Sequence, residues 1–251
     1  MRSEDSAALI REAFDAWAVR ITDPERFGAV LPGSVLAAQQ APDLPGERDL
    51  PKMAWRSMAN AGEHVAAANH VIATGSVLVK PFLTLARTTM IGAARTLYLL
   101  EPDEPDQRCI HALRLLRTES KDVDRLIGVW EAEVGRPANP DLRKLADDLR
   151  TETENALIQM GENPRSEMAD AALLSHAAKR LSHLPGDPLA RLMELWNFSS
   201  GNAHARTWTW DMGLERGKDY AGQFARVWSL PMYLMDEAWE LWNERRGATR
   251  T

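Results

Sequence analysis

The chain has 251 residues and a mass of 28.0 kDa, enough to bury a sizeable core without disulfide bonds or structural metals. Its 30 basic and 36 acidic residues give a formal net charge of −6, which argues against nucleic-acid binding over a whole surface but permits a local basic patch. A single cysteine excludes a disulfide framework, and neither an apolar leader nor a stretch of roughly 20 apolar residues is present. We therefore expect a cytoplasmic protein without a membrane segment.

Apolar residues recur at spacings of three and four along almost the whole chain, whereas alternating β-branched runs are absent. This pattern predicts helices and no sheet. Proline, glycine and capping residues divide the chain into eight predicted helices, the last with a kink at Pro231. In chain order, these helices span about 3–21, 51–75, 81–100, 103–135, 139–161, 166–184, 187–204 and 219–246.

The segment 22–51 contains five prolines and separates the first two predicted helices. Its apolar residues, such as Val30 and Leu36, indicate a packed loop or a lid and not a free linker. The sequence has no internal repeat and no shift in composition that would mark a domain boundary. It therefore predicts a single domain over residues 1–251, an all-α, multi-helix bundle.

Tryptophans lie on most of the predicted apolar stripes, and Trp130 is expected inside the bundle. Trp239 and Trp242 lie near the C-terminal end of the last helix, where we expect them to be exposed unless a second copy covers them. The sequence therefore predicts a homodimer. A further alternative is that the many tryptophans and methionines line a pocket for an apolar small molecule.

Four cations follow one another at spacings of three, four and four in the 103–135 helix. They are Arg114, Arg117, Lys121 and Arg125. Such a basic stripe can bind the phosphates of an RNA backbone. The alternative is a solvated face, because acidic residues lie between the cations and no aromatic residue does.

The segment 197–208 combines an imidazole, a guanidinium, amides and hydroxyls. For phosphodiester chemistry, His204 would transfer a proton and Arg206 would hold the phosphate. Asn197 lies seven residues before His204 and is expected on the same side, while Ser200 and Asn202 would position a ribose. The alternative is a hydrogen-bonded corner between two helices.

No motif for a metal or a cofactor is present. The chain lacks a phosphate-binding glycine loop, a serine-nucleophile elbow and the paired Glu-x-x-His motifs of di-iron bundles. His176 and His183 would lie about 10 Å apart along one helix, too far to share an ion. We therefore expect no metal and no cofactor.

The segment ARTLYLLEPD (94–103), the basic helix after it and the late segment WNFSSGNAH (196–204) resemble helical proteins common in actinobacteria. The late segment also resembles the end of the HEPN superfamily, and the resemblance covers about 63–242. It implies an all-α, HEPN-like core that is usually dimeric. It also implies a role in bacterial defence or toxin–antitoxin systems, where many members are metal-independent ribonucleases.

In the HEPN nuclease motif an arginine and a histidine are separated by four to six intervening residues, so the arginine lies five to seven residues before the histidine. No histidine of this chain has an arginine there, and Asn197 stands in that place for His204. Asparagine orients a phosphate but supplies no fixed charge. The resemblance thus implies an RNA- or nucleotide-associated protein, an active or a degenerate ribonuclease. The alternative function is a non-enzymatic interaction or regulatory protein that binds a protein partner through the Pro-rich segment and the last helix.

Overall fold

The computed structural model describes residues 3–39, 44–45, 48–74, 79–135, 137, 139–204 and 220–247. Within these ranges the protein is a bundle of nine α-helices with one 3-10 turn and no strand, which confirms the predicted all-α class. The helices are α1 (Ser3–Thr22), α2 (Pro24–Phe27), α3 (Leu50–Ala73), α4 (Val79–Leu100), α5 (Pro105–Val134), α6 (Pro140–Gln159), α7 (Asp170–Ala178), α8 (Pro188–Ala203) and α9 (Tyr220–Arg246).

Helix α4 lies at the centre of the bundle, where it packs against α3, α5, α7, α8 and α9. Its last turn, from Leu97 to Leu100, is buried. Small residues let it approach α3 closely, and the Thr96 hydroxyl donates to the carbonyl oxygen of Ala54 at 3.2 Å. The contact between α3 and α4 is therefore a tight one, with little room for larger side chains.

Most predicted helix ends are close to the observed ones, but two starts were wrong. Helix α5 begins at Pro105 because the Asp103 carboxylate accepts a hydrogen bond from Arg245 of α9 (2.6 Å) and does not cap the helix. Helix α7 begins at Asp170 and not at Ser166, because the Met168 N–H donates to the Thr118 hydroxyl of α5 at 3.0 Å. In both places a polar group that the sequence pattern predicts at the start of a helix forms a hydrogen bond with a distant helix instead.

The Pro-rich segment packs against the end of α9. The backbone N–H groups of Leu31 and Leu36 donate to the carbonyl oxygens of Arg246 and Arg245, at 3.0 and 3.1 Å. These carbonyls belong to the last turn of α9 and have no partner within the helix. The segment thus supplies hydrogen bonds that the helix end lacks, and it buries Leu36 against the core.

Three tryptophans lie where the sequence did not predict them. Trp242 is fully buried and donates from Nε1 to the carbonyl oxygen of Phe27 at 2.9 Å, while Trp239 packs edge-on against Trp17. Trp130, in contrast, is 56% exposed. The predicted exposure of Trp239 and Trp242 was therefore wrong, because the end of α9 lies beneath the Pro-rich segment.

Candidate functional site

A pocket of about 450 Å³ opens between the start of α3, the C-terminal end of α4 and the middle of α5. Its volume lies within the range of small-molecule sites. The residues that line it are Arg48, Asp49, Lys52, Met53, Arg56, Ser57, Arg95, Leu99, Leu115, Leu116 and Glu119. Four cations thus face two carboxylates, and the leucines supply buried apolar surface.

The four cations of the pocket differ in whether they already form ion pairs or hydrogen bonds within the protein. Arg95 forms an ion pair with Glu119, and Arg48 donates to the carbonyl oxygen of Pro45 at 3.0 Å. Lys52 lies 3.5 Å from Asp49 in a largely exposed pair, which is weak. Arg56 has no ion pair or hydrogen bond to any described residue. Its guanidinium is the donor in this pocket that is most readily available to a ligand.

The local sequence explains why Lys52 and Arg56 lie together at the edge of the pocket. The Asp49 side chain accepts a hydrogen bond from the Lys52 N–H at 3.2 Å, and Pro51 occupies the first turn, so α3 starts at this point. Lys52 and Arg56 are four residues apart and share one face of α3. That spacing was visible in the sequence. The approach of Arg95 and Glu119 from two other helices was not, so the sequence did not predict the pocket.

The chemistry of the pocket is that of anion binding. Its described lining residues include neither a histidine nor a cysteine that would act as a proton donor or nucleophile. Guanidinium groups form paired hydrogen bonds with phosphate or carboxylate oxygens, and the leucine side chains exclude water from an adjoining apolar group. The arrangement suits a ligand that combines an anionic group with a less polar part.

The basic stripe of α5 is engaged in ion pairs. Three of its cations join α5 to α6 or to the segment 160–169, and the fourth pairs within α5. The pairs are Arg114 with Glu162 (2.7 Å), Arg117 with Glu154 (3.1 Å), Lys121 with Glu167 (2.7 Å) and Arg125 with Asp122 (3.0 Å). Binding of a nucleic-acid backbone there would have to compete with these carboxylates, so the pairs favour a structural role for the stripe.

The predicted site at the end of α8 is described only in part. Asn197 is exposed and donates to the carbonyl oxygen of Met193 in its own helix at 2.9 Å. His204 is exposed directly after the helix, and its backbone N–H donates to the backbone carbonyl oxygen of the half-buried Ser200 at 3.1 Å. The side chain of Asn202 and the whole of Arg206 lie outside the described residues. A shared cleft therefore stays a prediction.

A cluster of aromatic and imidazole rings joins α4, α5 and α7. The ring of Tyr98 stacks on that of His111 at 3.8 Å, and His176 meets the Tyr98 ring edge-on at 5.2 Å. His111 Nδ1 lies 2.6 Å from the Tyr98 carbonyl oxygen, and His176 forms an ion pair with Glu101. Burial lowers the pKa of both imidazoles. His176 and His183 are not paired on one helix, because α7 ends at Ala178.

The described residues form no recognisable metal site, and the chain matches no known family. Among the described residues, no group of three or more His, Cys, Asp or Glu side chains is arranged to hold a metal ion. No helix in the described ranges has the length and apolar character needed to span a membrane. No family model, curated protein or solved structure matches the chain. The HEPN resemblance therefore stays a prediction.

Proposed function

We propose that the protein binds a nucleotide in the pocket between α3, α4 and α5. In this proposal it is a cytoplasmic, HEPN-like component of a bacterial defence or toxin–antitoxin-type system, and it acts by binding and not by ribonuclease chemistry. The observation that carries the proposal is the guanidinium of Arg56, which has no partner among the described residues and stands beside three further cations of the same pocket.

The charge of the pocket supports an anionic ligand. Its four basic and two acidic lining residues leave an excess of two positive charges in a chain with a net charge of −6. A nucleotide phosphate would neutralise this excess, with paired hydrogen bonds from Arg56. The half-buried side chain of Met53 would contact the less polar base or sugar, because Leu99, Leu115 and Leu116 form the buried wall of the pocket.

A small ligand fits these observations better than an RNA backbone. A backbone needs a row of available cations along an extended surface. Arg114 and Arg117 of the stripe on α5 are held in largely buried pairs with carboxylates, which leaves only Lys121 and Arg125 in exposed pairs, too few for such a row. In the pocket, Lys52 and Arg56 lie instead at a single opening. We therefore propose a nucleotide as the ligand.

The test is calorimetric titration of the purified protein with ATP, AMP, inorganic phosphate and adenosine. We expect ATP to bind more tightly than inorganic phosphate, and adenosine not to bind, because the phosphate supplies the charge and the base adds apolar contact. Arg56→Gln should weaken ATP binding by at least about tenfold, since a hydrogen bond to a charged group contributes about 1.5–3 kcal/mol.

The matched control is Arg191→Gln, which removes one exposed cation from α8 and leaves the lining of the pocket intact. It should bind ATP like the wild type. Equal affinity of the wild type and Arg56→Gln would overturn the proposal. Inorganic phosphate that binds as tightly as ATP would overturn the assignment to nucleotides.

The second candidate function is that of an interaction protein. The surfaces first expected to serve it, the Pro-rich segment and the last helix, are packed against each other. A different surface favours this function, because Leu126, Val129 and Trp130 of α5 are each more than half exposed.

A further inference from the structure

The end of α5 and the start of α6 form a helical hairpin, residues 121–150, which we call the arm. Helix α6 packs mainly against α5. Ile127 and Ala146 make a small core of their own, to which Val123 adds, separate from the main core of the bundle. The arm is therefore held by few apolar contacts of its own.

The arm carries an unusual share of the exposed apolar side chains. Of the thirteen large hydrophobic residues that are exposed in the described part of the chain, six lie on the arm, each between 42 and 63% exposed. These six are Leu126, Val129, Trp130, Val134, Leu142 and Leu145. Exposed apolar residues concentrated in this way mark an interaction surface.

The ion pairs of the arm show how its two helices are aligned. Glu131 pairs with Arg143, and Asp124 pairs with Arg150 at 2.8 Å. This antiparallel register places Val129 of α5 level with Leu145 of α6. The exposed apolar residues of both helices thus occupy the same stretch of the hairpin.

The exposed area matches what a symmetric dimer requires. A fully exposed aromatic side chain offers about 150–250 Å² and a Leu or Val side chain offers less, so the six half-exposed residues together offer on the order of 500 Å² per copy. Two copies would then bury on the order of 1,000 Å², the area that a specific protein interface has to reach. Main-chain and rim atoms add to this area.

The charge of the arm also permits a second copy to approach. Residues 121–150 contain six basic and seven acidic side chains, a net charge of −1, whereas the whole chain carries −6. Two arms would therefore repel each other little, although two whole chains carry the same sign of charge.

We infer that the arm docks against the arm of a second copy of this chain. The two hairpins would form a four-helix bundle around a two-fold axis, with the apolar face of each covering the other. Trp130 would be the largest side chain in this interface, and aromatic residues contribute most strongly at such places. Trp239 and Trp242 take no part in this interface, because they pack against α1 and the Pro-rich segment within the same chain.

Sedimentation equilibrium between about 1 and 100 μM tests this inference, a range suited to dimers of micromolar affinity. We expect the wild type to dimerise and Leu145→Glu to weaken the dimer by at least tenfold, because it buries an unpaired charge in the interface. Leu145 is 57% exposed, so the substitution leaves the core of the arm intact. Leu9→Glu on α1, where the replaced residue is 55% exposed, is the matched control and should dimerise like the wild type.

Hydrogen exchange locates the interface independently of the variants. Protection that increases with protein concentration should be confined to residues 121–150. A monomeric wild type, a Leu145→Glu variant that dimerises normally, or protection elsewhere in the chain would each overturn the inference.

Discussion

Gly92 lies where α4 touches α3, and a methyl group there should separate the two helices. A Cβ atom on Gly92 would stand 2.6 Å from the carbonyl oxygen of Ser57 and 2.8 Å from the Cβ of Ala61. Optimal contacts between carbon atoms are about 3.5–4.0 Å, so α3 must move by roughly 1 Å. The Ser57 oxygen belongs to the main chain, and no rotation of a side chain can relieve the contact.

The expected cost of Gly92→Ala is the difference between two opposing effects. Overpacking a well-filled interior costs about 1–3 kcal/mol. The movement also stretches the hydrogen bond from Thr96 to Ala54, which is already 3.2 Å long. Alanine in a helix interior is favoured over glycine by about 1 kcal/mol, which offsets part of the cost. The overpacking cost less the helix preference of alanine leaves about 0–2 kcal/mol. The weakened hydrogen bond adds up to about 0.5–1.5 kcal/mol, so we expect a net loss of about 1–2 kcal/mol in the free energy of unfolding.

Thermal unfolding of Gly92→Ala and Gly128→Ala measures this difference. Gly128 also lies inside a helix, but a Cβ there meets no atom within 4 Å. Gly92→Ala should lower the Tm by about 2–8 °C and Gly128→Ala should raise it by about 1–4 °C, given 2–4 °C per kcal/mol for a chain of this size. A Gly92→Ala variant as stable as the wild type would refute the close contact of α3 and α4.

Two further predictions concern pH and RNA. Burial lowers the pKa of His111 from its ordinary value of 6.5, so the unfolded chain binds more protons there than the folded one. The contribution of neutral His111 to the free energy of unfolding is complete above pH 6.5 and is lost as the pH falls through the lowered pKa. Urea unfolding should therefore show a smaller loss of stability on acidification for His111→Gln than for the wild type. An equal loss in both proteins would contradict the lowered pKa of His111. Incubation with total RNA and a chelator should give only background degradation with both the wild type and His204→Ala, because Asn197 supplies no fixed charge. Cleavage that depends on His204 would instead establish a ribonuclease.

Local sequence signals were sufficient to place most of the helices. Asn139 and Pro140 predicted the start of α6, where the Asn139 side chain accepts a hydrogen bond from the Asp141 N–H at 2.9 Å. Gly161 predicted its end and adopts a φ of +75°, which glycine tolerates best. Such caps involve residues a few positions apart, so the sequence alone is enough to recognise them.

The candidate pocket depended on contacts between distant parts of the chain. Lys52 and Arg56 share a face of α3 in any helix of this sequence, but Arg95 and Glu119 reach them only through the packing of α4 and α5. The pattern of residues along one helix does not indicate which charged residues of another helix will pack beside it. The pocket could therefore not be predicted from the sequence and was recognised only in the folded structure.

The sequence by itself determined that this chain is helical and which face of each helix is apolar, because helical periodicity is a property of neighbouring residues. Only the tertiary structure decided which of those faces are covered. Trp242 is enclosed because the Pro-rich segment returns to the end of α9, whereas Trp130 is exposed on the arm, where α6 leaves one side of α5 uncovered. Both tryptophans lie on apolar stripes, and the difference between a core residue and an interaction residue is the presence of a partner element in space.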